Sequence, residues 1–301
     1  MLECPTMRRI VSASRRTDIP AFYADWLVNR LREGYVLAPH PHAPTPRRVS
    51  LKPQDVLGAV FWTKNPAPLL SRLDVVERFV PNLFFHLTLT GAGQGLEPRV
   101  PPAQDVLKDM AFISKRYSPA HLAWRFDPIC PIPDDPPEAL LERFAKLAER
   151  VRGLAATCIT SFATIYNKLR RGMDQGRTPP ILRPDPGQRI ATFRAMDDIA
   201  RTHGLVLRVC CDPDVPADMF PPGACIGPEL LAPAWRSPDL GGLAKRPSRK
   251  GCACRESIDI GAYDTCPAGC AYCYATNNPQ RARANHAALD PQSPMLPASA
   301  T

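Results

Sequence analysis

Residues 257–273 read Ser257-Ile-Asp-Ile-Gly-Ala-Tyr263-Asp-Thr-Cys266-Pro-Ala-Gly-Cys270-Ala-Tyr-Cys273. The first seven form a strand candidate that runs directly into a loop with three cysteines at spacings of four and three residues. Such close spacings are typical of thiolates that bind one inorganic centre. Iron–sulfur clusters usually take four protein thiolates, so a site with three leaves one iron open to another ligand, where chemistry can occur.

The composition excludes several classes of protein. With 301 residues and 45% hydrophobic content, the chain can bury a full core as one large domain or two smaller ones. It has no apolar stretch that would serve as a signal peptide or span a bilayer, so we expect a cytoplasmic protein with no membrane partner. Eleven cysteines in such a chain indicate metal or redox chemistry rather than a disulfide framework, and five lie between Cys252 and Cys273.

Apolar and β-branched runs alternate with amphipathic segments along the chain, which is the pattern of α/β folds with parallel strands. The strand candidates before the last one are residues 10–14, 59–63, 83–90, 122–127, 157–163 and 205–212. The helix candidates are residues 21–33, 67–79, 104–116, 137–152 and 188–202. This succession predicts a partial or complete parallel (β/α) barrel. A doubly wound open sheet is the alternative, because strand order cannot be read from one sequence.

Most of the predicted strands end in polar side chains. These are Ser14-Arg15-Arg16-Thr17-Asp18, Thr63-Lys64-Asn65, Thr88 and Thr90, Arg125 and Asp127, Ser161, and Asp212. In parallel α/β barrels the carboxyl ends of the strands form the active-site face, so these residues predict a lined pocket, although ordinary turns are polar as well. The cations in this set and the formal net charge of +9 permit an anionic partner, either a small molecule or a nucleic acid.

The same pattern divides the chain into four regions. Residues 1–212 carry the barrel repeats, and residues 213–256 are a proline-rich and basic connection that contains Cys225, Cys252 and Cys254. Residues 257–288 carry the last strand and the cluster loop. Residues 289–301 are a tail that we expect to be poorly ordered at its end.

The cysteine motif resembles that of the radical S-adenosylmethionine superfamily, whose pattern is Cys-x-x-x-Cys-x-aromatic-Cys. The extended form Cys270-Ala-Tyr-Cys273-Tyr-Ala resembles the spore photoproduct lyase branch in particular. The chain also resembles an uncharacterised bacterial family of domain-of-unknown-function proteins over nearly its whole length. That resemblance runs from Ser12-Ala-Ser-Arg-Arg-Thr-Asp-Ile-Pro20 through Phe61-Trp-Thr-Lys-Asn-Pro66 to the cysteine cluster near the carboxyl end, and it names no reaction.

The superfamily resemblance implies an enzyme with a defined set of cofactors. Cys266, Cys270 and Cys273 would hold a [4Fe–4S] cluster, and its fourth iron would bind the amino and carboxylate groups of S-adenosylmethionine. The reduced cluster would break a carbon–sulfur bond and give a 5′-deoxyadenosyl radical that abstracts hydrogen from the substrate. Tyr272 matches the aromatic position that packs against the adenine. A reductant protein of the flavodoxin or ferredoxin type would supply the electron.

The chain departs from the superfamily in the position of this motif, which normally follows the first barrel strand. Here it follows the last strand candidate, so the resemblance implies a circularly permuted barrel in which residues 10–14 take the place of the second strand. The glycine-glycine-acid motif that usually follows that strand is not evident. The candidate cofactor-binding residues in its place are Ser12, Ser14, Arg16, Thr17 and Asp18, to which we add Arg125 and Asp127.

The remaining cysteines leave several functions open. Cys252 and Cys254, with Cys225, could supply a fourth thiolate that closes the cluster, or could help to hold a second cluster or a zinc ion. Cys130 and Cys211 lie at strand ends and are by default buried thiols. Because spore photoproduct lyase returns a hydrogen atom from a cysteine, the resemblance makes both candidate catalytic residues. The alternatives to an enzyme are a non-catalytic iron–sulfur or zinc protein and a nucleic-acid-binding module with a structural metal site.

Overall fold

Seven parallel strands form the central sheet of the computed structural model, which describes residues 8–39, 45–216 and 218–297. In chain order the strands are β1 (Arg9–Ala13), β2 (Tyr35–Ala38), β3 (Arg47–Ser50), β4 (Val56–Thr63), β5 (Leu83–Thr88), β6 (Leu122–Ile129), β7 (Thr157–Phe162), β8 (Val206–Val209) and β9 (Ile258–Asp259). β2 and β3 form a separate antiparallel pair, and the other strands pair in parallel.

Helices connect the strands of the sheet. The helices are α1 (Ile19–Phe22), α2 (Ala24–Glu33), α3 (Ala67–Leu70), α4 (Leu73–Val76), α5 (Ala103–Arg116), α6 (Pro137–Val151), α7 (Asn167–Asp174), α8 (Pro186–Thr202), α9 (Pro228–Trp235) and α10 (Pro279–Ala287). Two short 3-10 helices cover Pro119–His121 and Pro238–Gly242. None of the helices in the described ranges has the length and apolar character needed to cross a membrane.

The strands lie in the spatial order β9-β1-β4-β5-β6-β7-β8. From β1 to β8 each strand of the sheet lies beside the one that precedes it in the chain, while β9 returns to pair with β1. A doubly wound sheet reverses its strand order, and the part of the chain that the structure describes shows no such reversal between β1 and β8. Because parallel crossovers are right-handed, a constant direction places the connecting helices on one face. The predicted α/β fold with a parallel sheet is therefore confirmed.

One face of the sheet, which we call the outer face, packs against the connecting helices and forms the larger core. Trp124 and Phe126 of β6 both contact Phe144 of α6, and the rings of Trp124 and Phe144 stack with their centroids 5.1 Å apart. Phe85 of β5 belongs to the same buried cluster. Burying each such side chain contributes about 1.5–3 kcal/mol through the hydrophobic effect. This layer holds the strands in place from one side of the sheet.

The opposite face, which we call the inner face, packs against part of residues 213–256, the region predicted to be a connection. Val60, Phe84 and Ala123 project to this face and form a second buried cluster with residues of α9, including Trp235. The Trp235 indole donates a hydrogen bond to the Leu83 carbonyl oxygen at 3.0 Å. Part of the 213–256 region therefore forms a layer against the sheet, and it brings Cys225, Cys252 and Cys254 with it.

Asp259 joins β9 to β1 across the edge of the sheet. Its carboxylate accepts hydrogen bonds from the Ser12 and Ser14 hydroxyls, each at 2.7 Å, and from the Arg15 backbone N–H at 2.8 Å. The Gly261 N–H donates to the same carboxylate at 3.0 Å. A buried carboxylate is stable only when such donors satisfy it, so these bonds fix the position of β9.

The tail through residue 297 packs against α2. The Trp26 indole donates to the Ser293 carbonyl oxygen at 2.9 Å, and the Arg30 guanidinium donates to the Gln292 carbonyl oxygen at 2.8 Å. Leu296 is buried in the outer core. The predicted tail is therefore part of the fold up to this point, and its last residues, 298–301, lie outside the described ranges.

Most predicted elements exist, but several boundaries were wrong. The predicted helix 67–79 is two short helices, and the predicted helix 21–33 starts earlier and divides at Tyr23. The predicted strand 257–263 contains a strand of only two residues, because β9 pairs on one side and its successors turn into the cysteine loop. The β2–β3 hairpin, α7, α9 and α10 were missed.

We expect Gly261→Ala to destabilise the protein by about 1–3 kcal/mol, as overpacked sites do. A Cβ at this position would lie 2.7 Å from the Ser14 Cβ and would displace the hydroxyl that Asp259 binds. Gly241→Ala is the matched control, because a Cβ there meets nothing within 4 Å. Urea unfolding followed by circular dichroism measures both. Equal midpoints for the two variants would show that the β1–β9 junction is not tightly packed.

Candidate metal centre

The cysteine loop, residues 266–273, follows β9 at the carboxyl edge of the parallel sheet. Its three thiols are free. The backbone N–H of Ala271 donates to the Leu96 carbonyl oxygen at 2.9 Å, and the Lys168 ammonium donates to the Cys273 carbonyl oxygen at 2.6 Å. The loop is thus held against the segments that follow β5 and β7.

The residues after β1 form the other wall of this site. Thr17 donates to the Ala262 carbonyl oxygen at 3.2 Å, and the Tyr23 hydroxyl donates to the Thr265 carbonyl oxygen at 2.6 Å. The backbone N–H of Asp18 lies close enough to the sulfur of Cys266 to lower the pKa of that thiol, although burial outweighs this effect. The loops after β1 and β9 therefore lie side by side, as the sequence predicted for neighbouring parallel strands.

The chemistry of the three thiols suits a metal-bound group. Burial, together with the nearby charge of Cys273, raises the pKa of Cys266 well above its usual value and that of Cys270 to about 12. Buried thiols of this kind become thiolates when a metal replaces their protons, and soft thiolates favour iron–sulfur clusters or zinc. Among the described residues, no group of three or more His, Cys, Asp or Glu side chains is arranged to hold a single ion. The loop thus offers thiolate chemistry without a preformed one-ion site.

A buried ion pair lies directly beside the cysteine loop. The Lys64 ammonium is 2.8 Å from the Glu97 carboxylate, and the Thr90 hydroxyl donates to the same carboxylate at 2.9 Å. Tyr272, between the last two cysteines, donates its hydroxyl to Glu97 as well. Burial alone lowers the pKa of Lys64, but the charges of Glu97 and Cys270 outweigh burial and raise it.

Glu97 is the residue of this site that sequence reasoning missed. Burial raises the pKa of its carboxyl, but the charge of Lys64 and hydrogen bonds from Lys64, Tyr272 and Thr90 outweigh burial and lower it. Glu97 follows the glycine-containing stretch from Gly91 to Gly95, which has the ordinary features of a loop. Only the fold shows that this loop places a carboxylate against the cysteine loop.

The predicted cofactor-binding residues after β1 already have partners within the protein. Ser12 and Ser14 donate to Asp259, and Thr17 is buried against Ala262. Asp18 accepts from the backbone N–H groups of Ala21 at 3.1 Å and Lys64 at 2.9 Å, and its burial raises its pKa to about 6. These four residues fix the shape of the loop beside the cysteines.

Arg16 is the more available member of this group. Its Nε lies 3.8 Å from the Asp259 carboxylate, and its Nη1 donates to the Gly261 carbonyl oxygen at 3.4 Å. Its guanidinium lies over the exposed ring of Tyr263 at 5.4 Å. Because these contacts are long, the guanidinium can turn toward a ligand at low cost.

Arg125 and Asp127 project from β6 onto the inner face and form an ion pair with each other. Asp127 also accepts a hydrogen bond from the Ser161 hydroxyl. Arg125 donates to the sulfur of Cys225 at 3.0 Å, so it contacts a different set of cysteines from those in the loop. The structure thus places these two predicted residues on the inner face beside Cys225.

The structure places the two predicted catalytic cysteines in different surroundings. Cys130 is buried in a small apolar cluster to which Tyr272 packs, and it lines a cavity of about 190 Å³ that also includes Thr90 and Arg143. Cys211 contacts Cys210, with their sulfur atoms 3.5 Å apart. Cys130 is therefore the one that neighbours the cysteine loop.

Cys252 and Cys254 make their thiol contacts away from the cysteine loop. Cys252 contacts Cys211 and Cys254, and Cys254 contacts Cys225. With Cys210, these residues form what we call the second cysteine group: Cys210, Cys211, Cys225, Cys252 and Cys254.

The fold and this site define an α/β protein with a parallel sheet and a cysteine-rich loop at the carboxyl edge of its strands. Residues 10–275 match a family described as a domain of unknown function, DUF1848, and the chain belongs to that family. The matched range runs from β1 past the last cysteine of the loop and so contains both sets of cysteines. A comparison with curated proteins gives no match.

We expect Lys64→Met to destabilise the protein by about 3–5 kcal/mol, because it leaves the Glu97 carboxylate buried without its cation. Lys146→Met removes an exposed Lys–Glu pair on α6 with a similar separation of 2.6 Å, and it should cost less than about 1 kcal/mol. Urea unfolding of the metal-free proteins compares the two. The double variant Lys64→Met/Glu97→Gln should recover part of the loss, and a double variant no more stable than Lys64→Met would contradict this account.

Proposed function

We propose that this protein is a radical S-adenosylmethionine-type enzyme in which Cys266, Cys270 and Cys273 hold a [4Fe–4S] cluster. The observation that carries the proposal is the position of a three-cysteine loop at the carboxyl edge of a parallel sheet, where α/β enzymes bind their ligands. Cys252 and Cys254, the cysteines considered as a fourth ligand, make their thiol contacts in the second cysteine group. This supports a cluster with one open iron.

The strand order supports a circularly permuted partial barrel. In the superfamily that the motif resembles, the cysteines follow the first barrel strand. Here they follow β9, and β9 lies in space immediately before β1. Counting from β9, the sheet therefore has the cysteine loop after its first strand and the loop of residues 14–18 after its second.

Cations and backbone donors of this chain would stabilise the cluster. When bound, the cluster and S-adenosylmethionine supply one-electron chemistry that produces a carbon-centred radical. The N–H groups of Asp18 and Ala268 lie close to the sulfur of Cys266, and hydrogen bonds from them to a bound cluster would raise its affinity for an electron. Lys64 and Lys168 lie close enough to Cys270 for their charges to interact with it, so both offset the negative charge of the thiolates.

The remaining residues would bind and orient the organic cofactor and the substrate. Tyr272, held by Glu97, presents its ring beside the cysteine loop for the adenine. Arg16 is placed to bind the cofactor carboxylate, because its present contacts are long. Burial raises the pKa of the Cys130 thiol and the nearby charge of Cys270 adds to this, so the thiol keeps the hydrogen that a donor to a substrate radical needs. An anionic small molecule or nucleic acid as substrate, and a flavodoxin- or ferredoxin-type reductant as electron donor, belong to the same proposal.

Anaerobic reconstitution with iron and sulfide tests the proposal. S-adenosylmethionine should change the EPR spectrum of the reduced cluster, and 5′-deoxyadenosine should form when a reductant is present. Cys270→Ala should abolish both results, because it removes one of three ligands. Cys158→Ala, which changes a buried thiol of the outer core, is the matched control and should retain both. A reconstituted wild-type protein that gives neither result would overturn the proposal.

A further inference from the structure

The five thiols of the second cysteine group lie close together. The sulfur atoms of Cys210 and Cys211 are 3.5 Å apart, and the Cys254 N–H donates to the sulfur of Cys252 at 3.4 Å. Cys210, Cys225 and Cys254 belong to one buried cluster, against which Cys211 and Cys252 pack. A single buried cysteine often acts as a small hydrophobic residue, but five thiols brought together from three separate segments indicate a common ligand.

Backbone contacts hold the three segments together. The Gly223 N–H donates to the Val209 carbonyl oxygen at 2.7 Å, and the Arg255 N–H donates to the Ile226 carbonyl oxygen at 2.8 Å. A Cβ on Gly223 would lie within 2.9 Å of the Cys210 backbone, so only glycine allows this approach. The convergence of the thiols is thus built into the main chain.

Guanidinium groups lie beside sulfur atoms of the second cysteine group. The buried Arg125 donates to the sulfur of Cys225 at 3.0 Å, and Arg249 donates to the sulfur of Cys210 at 3.8 Å. The charge of Arg15 interacts with Cys225 and Cys254. A buried cation such as Arg125 is stabilised by a negatively charged centre, and four thiolates around a metal cluster would provide one.

The arrangement favours an iron–sulfur cluster over a zinc ion or a disulfide. The described cysteines are all free thiols. Structural zinc sites usually have two to four residues between paired cysteines, whereas Cys210 and Cys211 are adjacent and only one residue lies between Cys252 and Cys254.

We propose that four of the five cysteines of this group hold a second iron–sulfur cluster, of the [4Fe–4S] type with all four irons bound by protein. This cluster lies on the inner face of the sheet beside Arg125 and is separate from the cluster proposed at the Cys266 loop. Arg15 lies near both sites, since its charge interacts with Cys225 and Cys254 and its carbonyl oxygen accepts the hydroxyl of Tyr274, the residue after the cysteine loop, at 2.5 Å. The proposal does not depend on the proposed enzyme activity.

Two multiple variants separate the clusters. The triple variant Cys266→Ala/Cys270→Ala/Cys273→Ala, reconstituted anaerobically, should retain about four irons and four sulfides per chain, as a full cubane requires. Its reduced EPR spectrum should not respond to S-adenosylmethionine. The quadruple variant Cys210→Ala/Cys225→Ala/Cys252→Ala/Cys254→Ala should retain only the cluster that does respond.

Circular dichroism establishes whether each variant is folded. If the quadruple variant does not fold, the single substitution Cys252→Ala is added to the triple variant in its place. Loss of at least half of the iron from that combination supports the second cluster. A folded triple variant that binds no metal, or about one zinc ion and no iron, overturns the inference and leaves the proposed function standing. If the triple variant binds iron but S-adenosylmethionine does not change the EPR spectrum of the wild-type protein, the second cluster is supported and the proposed function is overturned.

Discussion

The pairing of β9 with β1 is the constraint on which the rest of the structure depends. Hydrogen bonds from the Ser12 and Ser14 hydroxyls to Asp259 join residues that are 247 and 245 positions apart. Closing so long a loop costs conformational entropy, which the buried and fully bonded carboxylate helps to offset. This junction fixes where the chain enters the cysteine loop, and the hydrogen bonds to Leu96 and from Lys168 then hold the loop in place.

The inner face of the sheet combines thiols and cations in a way that a simple core would not. Lys64 lies beside Cys270 at the carboxyl edge, and Arg125 contacts Cys225 nearer the centre. Glu97 and Asp127 pair with these two cations. Buried charges of this kind cost stability even when they are paired, and the proposed thiolate-bound metal centres would supply further negative charge to match the two cations.

Much of the fold could be predicted from the sequence because its signals are local. The apolar run of β5 and the polar residues that end β4 and β6 identified strands and a common edge. The second cysteine group could not be predicted in full, because Cys210 and Cys211 meet Cys225 only through the packing of β8 against a later segment. Glu97 could not be predicted as a site residue for the same reason, since its contact with Lys64 joins two loops that follow different strands.

Mössbauer spectroscopy of protein enriched in ⁵⁷Fe, with the second cysteine group removed by substitution, tests the central claim most directly. The claim is that the Cys266 loop holds a cubane with one iron open to a small molecule. S-adenosylmethionine should then change the isomer shift of one iron and leave the other three as they were. Four irons that are unaffected by S-adenosylmethionine would contradict the account.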